Sequence, residues 1–201
     1  MTITTLEQLS ALYGAVKETS RAKEIVHLND DYAAFVKASP LIFLATVGPE
    51  GTDCSPKGDA PGFVQIIDEK TVAIPDRPGN NRIDNLRNII SDSRVSLLFL
   101  IPGVGETLRI NGHASITAEA PMLERFAVGG KLPLSVILVR IDSVYFHCAK
   151  AIVRSKLWDP TLHVERASLP SAGQMIKNIV NDFDGEAYDR DLPARTKATL
   201  Y

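Results

Sequence analysis

The spacing of apolar residues changes character at Pro40. Before it, apolar side chains recur at helical intervals, first as Leu9, Leu12 and Tyr13 and then as Tyr32, Phe35 and Val36. Thr5 and Gln8 have capping-box spacing, and Gly14 offers a stop for the first run. The second run predicts a helix over residues 30–38, ended by Pro40. After Pro40 the pattern becomes short apolar runs bounded by Gly, Pro and Asp, which predicts strands. Residues 41–47 (LIFLATV) read as a buried strand, with a turn through Gly48 and Gly51 and a hairpin partner at 52–56. Residues 63–67 and 71–74 flank Asp68-Glu69-Lys70 as a second hairpin. Residues 94–101, 107–117 and 134–148 supply further strands, rich in Val, Ile and Leu.

Helical spacing returns three times in the remainder. Ile83, Leu86, Ile89 and Ile90 predict a helix over 81–90, and residues 121–128 predict a short one stopped by Gly129-Gly130. Met175, Ile176, Ile179 and Val180 mark a last helix, and the final twenty residues are polar and expected to be loosely held. Strands joined by short turns favour an antiparallel barrel over a doubly wound sheet, so the expected class is mainly β with helices (α+β). At 201 residues one domain is expected: a helical segment at 1–40, a barrel core at about 41–158 and a helical tail at 159–201.

Composition narrows the partners. Hydrophobic residues make up 45% and charged residues 23%, with a formal net charge of −2, so no basic field favours nucleic acid. The longest apolar run, 95–101, is too short to span a bilayer, and residues 1–10 lack a signal-peptide pattern. No membrane partner is expected. Cys54 and Cys148 have neither disulfide-framework nor metal spacing, which suits a reducing compartment and a cytoplasmic location. His27, His113, His147 and His163 show no ligand spacing, so no metal site is expected.

Four segments carry candidate chemistry. Asp76-Arg77-Pro78-Gly79-Asn80-Asn81-Arg82 leaves a strand and enters a helix, whose free N–H groups and dipole suit a phosphate. Asn80 or Asn81 can cap that helix and Arg82 can form a charge-assisted fork, although an ordinary capped surface turn has the same pattern. Cys54-Ser55-Pro56-Lys57-Gly58-Asp59 collects donors at a strand end, or is simply a turn with a solvated lysine. Arg109, between Leu108 and Ile110, either pairs with a cross-strand carboxylate or reaches a ligand. Lys150 and Arg154 are four residues apart on a helix closed by Trp158, either as a charged face toward a ligand or as solvated cations. Gly103-Val104-Gly105-Glu106-Thr107-Leu108 starts like a dinucleotide fingerprint but has Leu108 where the third glycine belongs.

In order and interval these segments resemble the pyridoxamine 5'-phosphate oxidase superfamily, through RPGNNRIDNLRNI and HCAKAIVRSKLWDP above all. The resemblance covers roughly residues 32–158 and is closest to a subgroup of oxidase-related flavoproteins. It implies an antiparallel, six-stranded split β-barrel that binds FMN at the interface of a homodimer. It further implies that Asn80, Asn81 and Arg82 hold the FMN phosphate, with Asp76 and Arg77 alongside. By the same resemblance, residues 54–57, including Cys54, Ser55 and Lys57, lie along the isoalloxazine ring. Thr107 takes the place of the family's flavin-contacting glutamine, with Arg109 near it. Lys150, Arg154 and Ser155 stand where the family puts substrate contacts, yet the pyridoxal-phosphate-gripping arginine and histidine are not recognisable. The implied function is an FMN-dependent oxidoreductase acting on a small molecule other than pyridoxamine 5'-phosphate, with NADH or NADPH as a possible reductant. The alternatives are a non-catalytic FMN storage or sensor module, or a split barrel using deazaflavin or haem. No side chain is singled out as a catalytic acid or base.

Overall fold

Strand β1 (Leu41–Gly48) shows how the sheet is built: Ile42 and Leu44 are wholly buried and Thr46 nearly so, while Leu41, Phe43, Ala45 and Val47 face the other way, half-buried. The computed structural model describes residues 2–201. Six further strands complete the sheet: β2 (Gly51–Gly58), β3 (Gln65–Asp68), β4 (Thr71–Asp76), β5 (Arg94–Leu100), β6 (Thr107–Thr117) and β7 (Ser135–His147). They pair antiparallel throughout, in the order β2-β1-β5-β6-β7-β4-β3. The six-stranded barrel implied by the resemblance is therefore corrected. Seven strands form one sheet that is not closed, with β2 and β3 as its two edges.

The bend in this sheet has a specific origin. β6 and β7 run together for most of their lengths, but the register shifts where Asn111 faces Ser143 and Gly112 faces Ile141. Asp142 is the extra residue, a β-bulge that locally increases twist. Gly112 is required there, because a Cβ would stand 2.0 Å from the Arg140 carbonyl oxygen. The bulge also switches which β7 residues point inward, from Ile137, Val139 and Ile141 before it to Val144 after it. The concave face carries the main core, with Leu97, Phe99, Leu108 and Ile110 wholly buried. Burying each such side chain contributes about 1.5–3 kcal/mol.

Helices close the concave side. After α1 (Leu6–Ser10) and α2 (Glu18–Ala22), α3 (Asp30–Ala38) is capped by Asn29 and buries Tyr32 and Val36. The Thr5 hydroxyl accepts from the Gln8 N–H, but the Gln8 side chain bonds the Thr4 N–H rather than that of Thr5. Helix α4 (Asp84–Ser91) starts three residues later than the apolar spacing predicts and buries Asn85 and Ile89. Its Asn85 and Asn88 amides both donate to the Thr46 hydroxyl, docking it on β1. Helix α5 (Ala120–Glu124) and Phe126 cover the opposite face of β4 and β7, where Ala73 and Val136 are buried. The apolar run into β7 is thus consumed within the chain.

The C-terminal part corrects another expectation. After α6 (Lys150–Ser155) and α7 (Ala172–Lys177), the polar final twenty residues form α8 (Gly185–Thr199). Helices α7 and α8 meet at Gly173 and Gly185, where a Cβ on either would stand 2.1 or 2.6 Å from the other's carbonyl oxygen. The Asp189 carboxylate accepts from the Ser171 hydroxyl and the Gly173 N–H. Chain polarity is therefore a poor guide to looseness where small residues and one carboxylate fix a helix pair.

Candidate functional site

The opening between the two ends of the sheet is a cleft of about 690 Å³, within the usual range of small-molecule sites. One wall is the concave face of β2, with Asp53, Ser55 and Lys57; the other is the end of β4 and the loop into α4, residues 75–86. Phe63, Pro75, Leu86 and Leu134 add apolar surface. The period of two in β2 decides which residues enter. Asp53, Ser55 and Lys57 oppose Thr46, Leu44 and Ile42 and so share their face, whereas Cys54 opposes Ala45 and is exposed on the convex side.

Every cation in the cleft has a carboxylate partner. Lys57 Nζ bonds Asp76 Oδ1, joining edge strand β2 to the end of β4. Arg77 Nε donates to Asp59 Oδ2 at 2.8 Å and its Nη1 to the Phe126 carbonyl at 3.1 Å. Arg82 Nε donates to Asp84 Oδ2 at 2.7 Å, but its side chain is 78% exposed and so remains available. Hydrogen bonding and charge from Asp84 raise its pKa further, so it stays cationic. Asp53 accepts from Ser55 Oγ at 2.9 Å and from the Asn85 amide.

The C-terminal residue reaches this wall. Tyr201 donates its hydroxyl to Asp59 Oδ1 at 2.7 Å, and the Arg77 guanidinium stacks 4.9 Å from its ring centre. Burial pushes the Asp59 carboxyl up, but the Tyr201 hydroxyl, the Ala60 N–H and Arg77 together hold it below the usual range. The same hydrogen bond to Asp59 raises the Tyr201 phenol above its ordinary value.

The loop into α4 has the form an anion needs. Asn81 and Ile83 both adopt left-handed backbone, with φ of 58° and 51°. Ile83 precedes the helix and gives it no side-chain cap. The amides of Asp84, Asn85 and Leu86 therefore begin α4 without intrahelical acceptors, at the positive end of its dipole. Asn80 accepts from the Arg82 N–H at 3.0 Å and tightens the turn. A left-handed β-branched residue costs about 1–2 kcal/mol, and such strain persists where surrounding structure imposes it.

The expected site residues thus divide. Ser55, Lys57, Asp76, Arg77, Asn80, Asn81 and Arg82 line the cleft together. Cys54, Thr107 and Arg109 are on the convex side, Arg109 between the inward-facing Leu108 and Ile110. Of the two readings of Arg109 left open by the sequence, the cross-strand carboxylate is not met within the chain: its partner is Tyr145, whose hydroxyl it meets at 3.0 Å. Lys150, Arg154 and Ser155 lie exposed on α6, outside the cleft lining, with Arg154 and Ser155 bonded back to the carbonyls of Lys150 and Ile152. Asp53 and Tyr201 lie outside the segments the sequence singled out, and Asp59 and Asn85 lie within them without an assigned role. Asp53 could have been found from its alternation with Ser55 and Lys57, but nothing local marks Tyr201.

Comparison with known proteins identifies the class. The sequence model described as pyridoxamine 5'-phosphate oxidase matches residues 28–148, more than half of the chain, and the chain belongs to that family. Members of the family generally bind flavin. Similar solved structures include HupZ from Group A Streptococcus, 20% identical, covering 58% of this chain and 91% of that one at a TM-score of 0.47. A Clostridium acetobutylicum protein related to general stress protein 26 is 11% identical, covering 59% and 86% at 0.44. A structure named F420 reductase is 15% identical, covering 60% and 98% at 0.42. These likenesses are partial, and the family assignment rests on the sequence match. No curated protein matches the chain significantly.

Proposed function

We propose that the chain is an FMN-binding oxidoreductase that holds its cofactor in this cleft and acts on a small molecule other than pyridoxamine 5'-phosphate. The observation that carries the reading is the loop at 79–86: uncapped α4 amides, two adjacent asparagines and an exposed Arg82 at the mouth of a cleft of flavin size. Asn80, Asn81, Arg82 and those amides suit a phosphate, while Phe63, Pro75, Leu86 and Leu134 suit the edge of a flat ring. Lys57, already bonded to Asp76, is placed to meet polar ring atoms and to stabilise negative charge there. A bound flavin would supply the electron-transfer chemistry, and the protein position and electrostatics.

The division of site residues between two faces supports a homodimer. One copy cannot present both Lys57 and Arg109 to a single ligand, because they point to opposite sides of the sheet. Two copies can. Leu41, Phe43, Leu98 and Leu100, half-buried on the convex face, offer the apolar surface for such pairing. Two unpaired cysteines, and no helix among the described residues long and apolar enough to cross a membrane, are compatible with a cytoplasmic location.

Mass spectrometry of the cofactor released from purified protein, with the absorbance spectrum before and after NADH or NADPH, tests the reading. FMN released from a yellow protein that bleaches supports the enzyme. FMN without bleaching by any reductant supports a binding module, and a released deazaflavin or haem overturns the cofactor assignment.

A further inference from the structure

Outside the cleft, Lys23 and Arg109 gather with aromatic side chains near the start of β6 and the end of β7. On the convex face of β6 and β7, Arg109 opposes Tyr145 and Thr107 opposes His147. Arg109 Nη1 donates to Tyr145 Oη at 3.0 Å and the guanidinium lies 5.6 Å from that ring's centre, so its plane is fixed while most of its five N–H donors stay free. The His147 ring centre lies 5.0 Å from that of Tyr145, the two planes tilted by 49°. Lys23 Nζ stands 4.6 Å from the centre of Phe146 and 5.9 Å from that of Tyr145, over aromatic faces and not beside an acid.

Lys23 and Arg109, like most lysines and arginines among the described residues, form no salt bridge. One feature sets this cluster apart from a solvated surface. His147 Nε2 is buried without any hydrogen-bond partner, a state that native structures rarely tolerate unexplained. Burial, and then the charges of Arg109 and Lys23, hold the His147 pKa below its ordinary value; no carboxylate opposes them. Aromatic walls, a phenol and an imidazole surround the two cations.

We propose that Lys23, Arg109, Tyr145 and His147 form an oxyanion-binding subsite that takes the carboxylate or phosphate group of a small substrate. The guanidinium fork supplies bidentate recognition and Lys23 a point charge, while the His147 ring packs beside Tyr145 and reports on the site. In the paired arrangement proposed above, this convex face meets the partner's cleft, which gives the anion anchor a place beside the flavin. As a substrate anchor it rests on the flavin reading; as an anion site it stands alone.

Titration of the purified protein with inorganic phosphate, followed through the imidazole resonances of His147 and compared with sodium chloride at matched ionic strength, separates the two. Wild type should give a saturable, phosphate-specific shift. Arg109→Gln should weaken it about tenfold or more, the loss expected of a charge-assisted fork. Lys23→Gln, at the rim, should weaken it less, and Arg82→Ala, in the cleft, should leave the His147 response intact. If Arg109→Gln fails to fold, Arg109→Lys keeps the charge without the fork and should give an intermediate loss. Equal shifts with chloride, a response unchanged by both the Arg109 and Lys23 variants, or a response lost in Arg82→Ala would overturn the subsite. A phosphate response in protein found to carry no flavin would retain the anion site and remove only the substrate role.

Discussion

Lys57 on edge strand β2 and Asp76 at the end of β4 form an ion pair across the opening between the two ends of the sheet. Their side chains are 19% and 12% exposed, so the pair is screened only in part. It ties together strands that no backbone hydrogen bond joins and places a lysine on the cleft wall. Asp76→Ala leaves Lys57 without its acceptor and should destabilise the protein by about 1–3 kcal/mol in urea unfolding. The double variant Lys57→Met/Asp76→Leu should lose less than the two single changes added together, since it strands no charge. Strict additivity would show that the pair does not hold the opening.

The tail clasp should depend on pH at both ends. Asp59 is held below its ordinary pKa, so its contribution is present above about pH 4 and is lost as pH falls through the lower folded value. Tyr201 is raised above its ordinary value near 10, so its contribution is present below about pH 10 and is lost as pH rises through the folded value. Hydrogen exchange in residues 185–201 should be slowest, after correction for intrinsic rates, between those limits. Tyr201→Phe should speed exchange within the window and flatten the profile. A variant profile identical to wild type would mean that the hydroxyl does not hold the tail.

Ile83 is strained where it stands. Its left-handed backbone disfavours a β-branched side chain, and with 46% of its surface exposed little packing is at stake. Ile83→Gly should raise stability by about 0.5–1 kcal/mol, the relieved strain less the added flexibility of the unfolded glycine. Flavin affinity should fall, because the α4 amides lose their fixed geometry. A destabilised variant would show that the Ile83 side chain carries packing that outweighs the strain.

Much of the architecture is written in local periodicity. The bounds of α3 and β6 follow from apolar spacing and flanking breakers to the residue, whereas the turn out of β4 was legible but the start of α4 was not, falling at Asp84 instead of residue 81. Features that depend on distant residues were not legible. The partners of Lys57 and Arg77 are 19 and 18 positions away, and the sequence offers several acids for each. The two faces of β2 separate Cys54 from Ser55 and Lys57, yet a motif read as a block merges them. Tyr201 is 142 positions from Asp59, so only the folded chain discloses their contact.

In the proposed flavoprotein the loop at 79–86 holds the phosphate of FMN through Arg82. Fluorescence titration of flavin-free protein with FMN and with riboflavin, in wild type and Arg82→Ala, distinguishes a phosphate contact from a ring contact. Wild type should prefer FMN, and Arg82→Ala should weaken FMN binding about tenfold to a hundredfold while changing riboflavin binding little. Equal losses for both ligands, or no preference for FMN in wild type, would contradict the claim.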